Sequence, residues 1–162
     1  MTTILADAKA RVMVADTLGV QGSRKFQMGA KVQRHNGSLY GFSGDITAAQ
    51  AWFECYTEGR ETPETKASEA FDVLILDPDG TISLYPNGQA KVAIGQDHYA
   101  IGSGGEAALA AYRAMELAGI TPDALIAVEA ACHVNTDSGL PLRVYALDTA
   151  ADKLVRKPRG KR

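Results

Sequence analysis

The chain has 162 residues, of which 46% are hydrophobic and 22% are charged, and its formal net charge is −2 with a pI near 5.9. This composition is typical of one globular domain, and the near-neutral charge excludes a general attraction to nucleic acid or to an anionic membrane surface. No apolar run approaches the length of a membrane span, and the N-terminus lacks the features of a signal peptide. We therefore expect a cytoplasmic protein.

The two cysteines, Cys55 and Cys132, lie in alanine-rich helical stretches and have no CxxC spacing. They are therefore predicted to be small buried side chains in a reducing compartment rather than metal ligands or a disulfide. The histidines also lack the spacing of metal ligands. The sequence predicts neither a metal ion nor another cofactor.

Two short runs of β-forming residues at 3–8 and 11–16 predict an N-terminal hairpin that ends at Asp16. Residues 18–23 are predicted to be a loop. A second hairpin is predicted from runs 31–34 and 38–42, which flank Asn36-Gly37. Asn-Gly between two such runs is a strong hairpin signal because both residues accept a positive φ.

After the second hairpin, Asp45 is positioned to cap a helix over Ile46–Thr57, and residues 59–70 form a polar loop. Further strands are predicted at 71–76, 81–85, 91–94, 98–101 and 140–147, and further helices at 106–117 and from an N-cap Thr121 with Pro122 to Cys132. This order predicts an α+β fold with antiparallel sheets rather than repeated βαβ units. A single domain is predicted over 2–152, followed by a basic and flexible tail over 153–162.

Several short segments together resemble the proteasome β-type N-terminal-nucleophile (Ntn) hydrolases, which include HslV and other bacterial proteasome homologues. They are Met1-Thr2-Thr3-Ile4, Val14-Ala15-Asp16-Thr17, Lys31-Val32-Gln33-Arg34, Gly41-Phe42-Ser43-Gly44, Ala100-Ile101-Gly102-Ser103-Gly104-Gly105 and Asp137-Ser138-Gly139-Leu140-Pro141. The resemblance implies a four-layer αββα sandwich. The polar run 59–70 replaces the family's second long helix, so one helical layer is expected to be shortened.

Thr2 becomes the N-terminal residue when Met1 is removed, because methionine removal tolerates a small second side chain. A threonine with a free α-amine carries a nucleophile and a general base on one residue. The resemblance implies that Lys31 lies beside Thr2, where its charge would disfavour a second positive charge on the amine. It also implies that Asp16 pairs with Lys31 and holds it charged.

The remaining catalytic positions also follow from the resemblance. The Gly44 N–H matches the oxyanion donor, and Ser103 and Ser138 match serines that form hydrogen bonds near the threonine amine. Asn135 stands where the family commonly has an aspartate. The substrate pocket is expected to be lined by Gly19, Val20, Gly29, Gln33, Phe42, Ile46 and Gln50, with Phe42 narrowing its base and favouring apolar substrate side chains.

The resemblance implies a threonine peptidase in stacked homo-oligomeric rings, either hexamers or heptamers, that receives unfolded polypeptide from an AAA+ ATPase and binds no nucleic acid. One alternative is a catalytically silent ring subunit or sensor. A second is an amide hydrolase for small substrates. Taken singly, Asp16 also fits a turn, Lys31 a solvated strand face, and Gly-Ser-Gly-Gly at 102–105 a phosphate cradle.

Overall fold

The computed structural model describes residues 2–21, 24–64, 66–148 and 153–155. The strands are β1 (Ile4–Asp7), β2 (Val12–Asp16), β3 (Leu18–Gln21), β4 (Arg24–Gln27), β5 (Val32–His35), β6 (Ser38–Gly44), β7 (Phe71–Leu76), β8 (Ile82–Pro86), β9 (Val92–Ile94), β10 (His98–Ile101), β11 (Leu142–Ala146) and β12 (Lys153–Val155). The helices are α1 (Ile46–Thr57), α2 (Gly105–Leu117) and α3 (Ala124–Val134).

Two antiparallel five-stranded sheets lie at the centre of the fold. One has the order β10-β1-β2-β11-β12, and the other has the order β5-β6-β7-β8-β9. An apolar core joins their facing sides, while α2 and α3 pack on the outer face of the first sheet and α1 packs on the second. The predicted α+β fold with αββα layers is confirmed.

Strand β1 shows why the two sheets can stack, because apolar side chains occupy both of its faces. Ile4 and Ala6 face the second sheet, and Leu5 packs under the helices on the other side. All three are fully buried. Gly41 in β6 lets the sheets approach closely, since a Cβ there would come within 2.9 Å of Ile4 and Met13 side-chain atoms.

The helical layer on the second sheet is short, as expected. Between α1 and β7 the described residues form only a 3₁₀ helix, Ala67–Glu69. α1 buries Ala49, Trp52 and Phe53 against the sheet, and the Trp52 indole N–H donates to the Gly88 carbonyl at 2.9 Å. The turn after β8 therefore contacts α1 through this hydrogen bond. No helix in the described part of the chain is long and apolar enough to cross a membrane.

Three local predictions were wrong. The predicted loop 18–23 contributes β3 to a two-stranded ribbon with β4, although residues 22 and 23 lie outside the described ranges. α3 begins after Asp123 rather than Thr121, because the Asp123 carboxylate accepts the N–H groups of Leu125 and Ile126. The predicted flexible tail begins with β12, which pairs with β11, while residues 156–162 lie outside the described ranges.

Candidate active site

The N-terminal residues are held between β2 and the glycine-rich turn that precedes α2. Thr2 is 5% exposed and Thr3 is fully buried. The Gly104 N–H donates to the Thr2 carbonyl at 3.3 Å, and the Asp16 N–H donates to the Thr3 carbonyl at 3.1 Å. The Thr3 N–H donates to Asp16 Oδ1 at 2.8 Å. The Thr2–Thr3 peptide is therefore bonded at both its carbonyl and its N–H; Met1 lies outside the described residues.

Glycines in the turn 102–105 make this close approach possible. Gly102 has φ +86°, and a Cβ there would collide with the Thr2 carbonyl. A Cβ on Gly104 would collide with the Thr3 hydroxyl. The close contact with Thr2 and Thr3 therefore explains why both positions are glycine, and a bound phosphate is not needed to explain them.

Asp16 and Lys31 form a buried ion pair at 2.8 Å, with the two side chains 0% and 1% exposed respectively. The other carboxylate oxygen of Asp16 accepts the N–H groups of Leu18 at 3.2 Å and Gly139 at 3.1 Å. Lys31 Nζ also donates to the Leu18 carbonyl at 2.6 Å. Burial lowers the pKa of Lys31 from its usual 10.5, and the Asp16 carboxylate opposes that shift.

Thr2, Lys31 and Gly44 open onto one cavity of about 370 Å³. Asp45 and Thr47, at the start of α1, also line it. Among the residues predicted to form the substrate pocket, those that line this cavity are Gly19, Val20, Phe42 and Ile46. The structure therefore brings the predicted nucleophile, the lysine and much of the predicted pocket together.

The other predicted pocket residues lie elsewhere among the described residues. Gln33 and Gln50 do not line the cavity, and the Gln33 side-chain amide donates to Gln50 Oε1 at 2.6 Å. Gly29 is exposed, with open space where a Cβ would lie. The structure therefore does not place these three residues on the cavity beside Thr2: Gln33 and Gln50 are hydrogen-bonded to each other, and Gly29 faces open space.

Gly44 ends β6 immediately before the N-cap of α1. It has φ +94°, and a Cβ would collide with the Ala70 carbonyl. Only glycine fits this junction without strain. The chain can therefore turn from the sheet into α1 beside Thr2.

The remaining predicted catalytic residues have different surroundings. Ser138 is 4% exposed, and its hydroxyl lies 2.5 Å from the Thr3 hydroxyl. Asn135 follows α3, where its Oδ1 accepts the Asp137 N–H at 2.8 Å. Ser103 is exposed in the turn before α2 and does not line the cavity in the described part of the chain.

Phe26 and Met28 line the cavity but were missed by the sequence reasoning. Phe26 lies in β4 and Met28 directly follows it, in a part of the chain for which no element was predicted. A Cβ on Gly19 would approach both side chains within 2.6 Å, so the glycine makes room for them. The sequence carried no clear signal for β4, because all four of its residues are exposed and the strand has no buried face.

The Cys132 thiol, which interacts with the charges of Asp16 and Lys31, bears on thiol chemistry at this site. Burial, with the Asp16 charge nearby, raises the pKa of the Cys132 thiol to about 12, which keeps it protonated and unreactive at neutral pH. No cluster of three or more potential metal ligands occurs among the described residues.

No protein-family model matches the sequence, and no curated protein matches it. Solved structures are similar. The structure titled "Thiobacillus denitrificans BPH in complex with Epoxomicin" shares 23% identity at a TM-score of 0.66, covering 89% of this chain and 97% of that chain. HslV from Trypanosoma brucei shares 21% identity at a TM-score of 0.69, covering 89% and 98%.

Anbu from Hyphomicrobium sp. strain MC1 is also similar, with 14% identity and a TM-score of 0.69 over 96% of this chain and 88% of that chain. These structural neighbours are proteasome-type Ntn hydrolases. Identities this low establish the fold alone. Together with the αββα layers described above, they show that the chain has the fold of the proteasome-type Ntn hydrolases.

Proposed function

We propose that this protein is a threonine-type peptidase whose nucleophile is Thr2 after removal of Met1. The observation that carries the proposal is the common cavity of Thr2 and Lys31, with Lys31 held by the buried Asp16 carboxylate. A cation beside a hydroxyl favours the alkoxide that forms during attack. The fold shared with HslV and BPH supports the same chemistry.

In the proposed reaction, the Thr2 α-amine takes the proton of Thr2 Oγ as Oγ attacks the peptide carbonyl carbon. An α-amine has a reference pKa of about 8, and the Lys31 ammonium disfavours its protonation. Collapse of the tetrahedral intermediate breaks the C–N bond and transfers the proton to the leaving amine. Water then hydrolyses the Thr2 ester and releases the second product.

The Gly44 N–H is proposed to donate to the oxyanion of both tetrahedral intermediates. Its position beside Thr2 at the cavity edge supports this role. Ser103, Ser138 and Asn135 are proposed to tune the amine. Of these, Ser138 has the strongest structural support, because its hydroxyl contacts the residue next to Thr2.

The proposed substrate is unfolded polypeptide with an apolar side chain beside the scissile bond. The cavity walls support this choice, since they include Val20, Phe26, Phe42 and Ile46. Burial of a large apolar side chain contributes roughly 1.5–3 kcal/mol. This contribution would favour apolar over charged residues at that position.

The protein is proposed to be cytoplasmic and to form stacked homo-oligomeric rings, of hexamers or heptamers, served by an AAA+ ATPase. Exposed apolar side chains on and near the outer helices support self-association. Leu117 is 76% exposed, Ile126 54% and Val134 74%. Large apolar side chains that are exposed together are typical of surfaces that bind a partner.

Hydrolysis of a fluorogenic peptide with an apolar residue before the scissile bond tests the proposal. We expect Thr2→Ala to lose activity by about 10³-fold or more, since no nucleophile remains. Alanine still permits removal of Met1, so the two chains differ only at the nucleophile. Thr57→Ala on α1, away from the cavity, is the matched control and should retain activity.

Undiminished hydrolysis by Thr2→Ala would contradict the threonine mechanism. Absence of peptide hydrolysis together with Thr2-dependent cleavage of small amides would favour the small-substrate alternative. A processed protein that cleaves neither would favour the silent ring subunit or sensor.

A further inference from the structure

The hydroxyls of Thr3 and Ser138 form a buried contact at 2.5 Å, a short distance for a hydroxyl–hydroxyl hydrogen bond. Thr3 is fully buried and Ser138 is 4% exposed. Neither residue lines the cavity among the described residues. The contact therefore lies behind the nucleophile rather than at the substrate.

Thr3 shares its peptide bond with Thr2, so its position controls how Thr2 faces the cavity. The plane of that peptide is fixed by the Gly104 N–H on the Thr2 carbonyl and by Asp16 Oδ1 on the Thr3 N–H. With the plane fixed, Thr2 retains only the rotations about its own Cα and side chain. A tilt of this plane would move both the hydroxyl and the amine of Thr2.

The loop between α3 and β11 supports this peptide from behind. The Gly139 N–H donates to Asp16 Oδ2 at 3.1 Å, and Ser138 contacts the Thr3 hydroxyl. Gly104 packs against the same contact, since a Cβ there would meet Ser138 Oγ at 3.1 Å. The loop is thus attached both to the carboxylate that binds Lys31 and to the residue that follows the nucleophile.

We propose that Thr3 is a positioning residue, through whose hydroxyl Ser138 and the α3–β11 loop set the orientation of Thr2 toward Lys31. This inference rests on the proposed Thr2 chemistry. In this view, Ser138 affects the orientation of Thr2 through its contact with the Thr3 hydroxyl. Because Thr3 does not touch the substrate cavity, the effect falls on kcat and leaves KM unchanged.

The test measures kcat and KM for the fluorogenic peptide in Thr3→Val, Thr3→Ser and Ser138→Ala. Valine keeps the shape of threonine and removes the hydroxyl, whereas serine keeps the hydroxyl. We expect kcat to fall about tenfold in Thr3→Val and in Ser138→Ala, with little change in KM, and to be restored largely by Thr3→Ser. The double variant should lose no more than either single variant, because both hydroxyls act through one contact.

Thr17→Val is the matched control. Thr17 is also buried, and its hydroxyl donates to the Pro141 carbonyl at 2.8 Å, so it anchors the same loop without contacting the Thr2–Thr3 peptide. We expect a similar loss of thermal stability and an unchanged kcat. Equal losses of kcat in Thr17→Val and Thr3→Val, an unchanged kcat in Thr3→Val, or additive effects of Thr3→Val and Ser138→Ala would overturn the inference.

Should Thr3→Val not fold, Ser138→Ala carries the same comparison with Thr17→Val. The Thr2→Ala variant in the same assay separates the two proposals. Activity that depends on Thr2 but not on the Thr3 hydroxyl rejects only the positioning role. Activity independent of Thr2 rejects the proposed function itself.

Discussion

Lys31 and Asp16 show how the fold accommodates a buried charged pair. Removing both groups from solvent costs several kcal/mol each, and Asp16 offsets this cost by accepting hydrogen bonds from Lys31, Thr3, Leu18 and Gly139. The carboxylate thus connects β2 with the N-terminus, the ribbon and the α3–β11 loop. Because these donors hold the Asp16 carboxylate in place, its ion pair also fixes the position of Lys31.

Replacing Lys31 by methionine keeps a linear side chain and removes the charge. We expect Lys31→Met to lower the free energy of unfolding by about 3–5 kcal/mol, because the buried Asp16 carboxylate loses its counter-ion. Peptide hydrolysis should fall below detection. Denaturant unfolding measures the first effect, and the fluorogenic assay measures the second.

Lys9→Met is the control for this substitution. Lys9 forms an equally short pair with Asp97, at 2.8 Å, but both side chains are more than half exposed. An exposed pair contributes little, so stability and activity should barely change. Similar losses of stability in the two variants would contradict the importance assigned to the buried pair.

At the scale of residues, the segments that resemble the Ntn hydrolases pointed to three residues that the structure brings together. Thr2, Lys31 and Gly44 do line one cavity. Other contacts could not be predicted, because they depend on how separate elements meet in space. The Thr3–Ser138 contact joins residues 135 positions apart in the chain, and Gln33 could be seen to bind Gln50 only once β5 and α1 were assembled.

The junction between β6 and α1 depends on Gly44. This residue must adopt φ +94° and lie against the Ala70 carbonyl. The Asp45 N-cap follows at once and accepts the N–H groups of Thr47 and Ala48, both at 2.9 Å. Strand, turn and helix cap together fix the edge of the cavity.

Gly44→Ala is expected to lower the free energy of unfolding by more than about 2 kcal/mol, since a positive φ alone costs roughly 1–2 kcal/mol with a Cβ and the collision with Ala70 adds to it. Gly59→Ala provides the comparison. Gly59 also has a positive φ, +68°, but open space surrounds the position of its Cβ. Chemical denaturation of both variants should show the larger loss at Gly44; equal losses would contradict the role of the collision.

The aromatic contacts between α1 and β6 predict a pH dependence. Burial, followed by the influence of Tyr56, raises the pKa of Tyr40 from 10.0 to about 12. Because the native state keeps this proton when the unfolded state has lost it, the stability contributed by Tyr40 is present below pH 10 and is lost as pH rises toward 12. The free energy of unfolding should therefore fall over this window.

Tyr40→Phe should show a smaller fall across the same window, because phenylalanine has no proton to lose. Urea titrations between pH 9 and 12 would make the comparison. Parallel curves for the two proteins would contradict the assignment of this pH dependence to Tyr40.

At the scale of elements, local signals predicted most of the strands and helices. Asn36 and Gly37 do adopt φ values of +48° and +82° in the turn between β5 and β6, and α1 spans Ile46–Thr57 as predicted. The ribbon β3–β4 was missed because its strands are short and its second strand is exposed. Such a strand lacks the buried face that gives a sequence its alternating pattern.

The whole molecule is a stack of layers in which both central sheets are covered, and β12 forms one edge of the first sheet. β12 could not be predicted from the sequence, because its basic surroundings resemble a solvated tail. Its pairing with β11 joins Val155 to Leu142, which is 1% exposed. β12 therefore gives β11 a second hydrogen-bonded neighbour at this edge of the sheet.

Two truncations separate β12 from the basic residues that follow it. A chain ending at residue 155 should retain the stability of the full chain, whereas one ending at residue 152 should unfold at a lower temperature, since β11 loses its neighbour and becomes an edge strand. Thermal unfolding by circular dichroism measures both. Equal melting temperatures for the two truncations would contradict a structural role for β12.

The four layers were expected from the resemblance to the Ntn hydrolases, and the described residues between α1 and β7 do form only a short 3₁₀ helix. Assembly depends instead on surfaces that meet only between copies of the chain. The exposed side chains of Leu117, Ile126 and Val134 are those proposed to contact other copies, but a surface of one chain does not define ring symmetry.

The central claim is that Thr2, with a free α-amine, is the nucleophile, and the mass of the intact protein before and after treatment with a peptide epoxyketone tests it most directly. We predict a chain lacking Met1 that gains the mass of one inhibitor molecule, with the adduct mapped to Thr2 and absent in Thr2→Ala. Complete retention of Met1, or a processed chain that does not react at Thr2, would contradict the account.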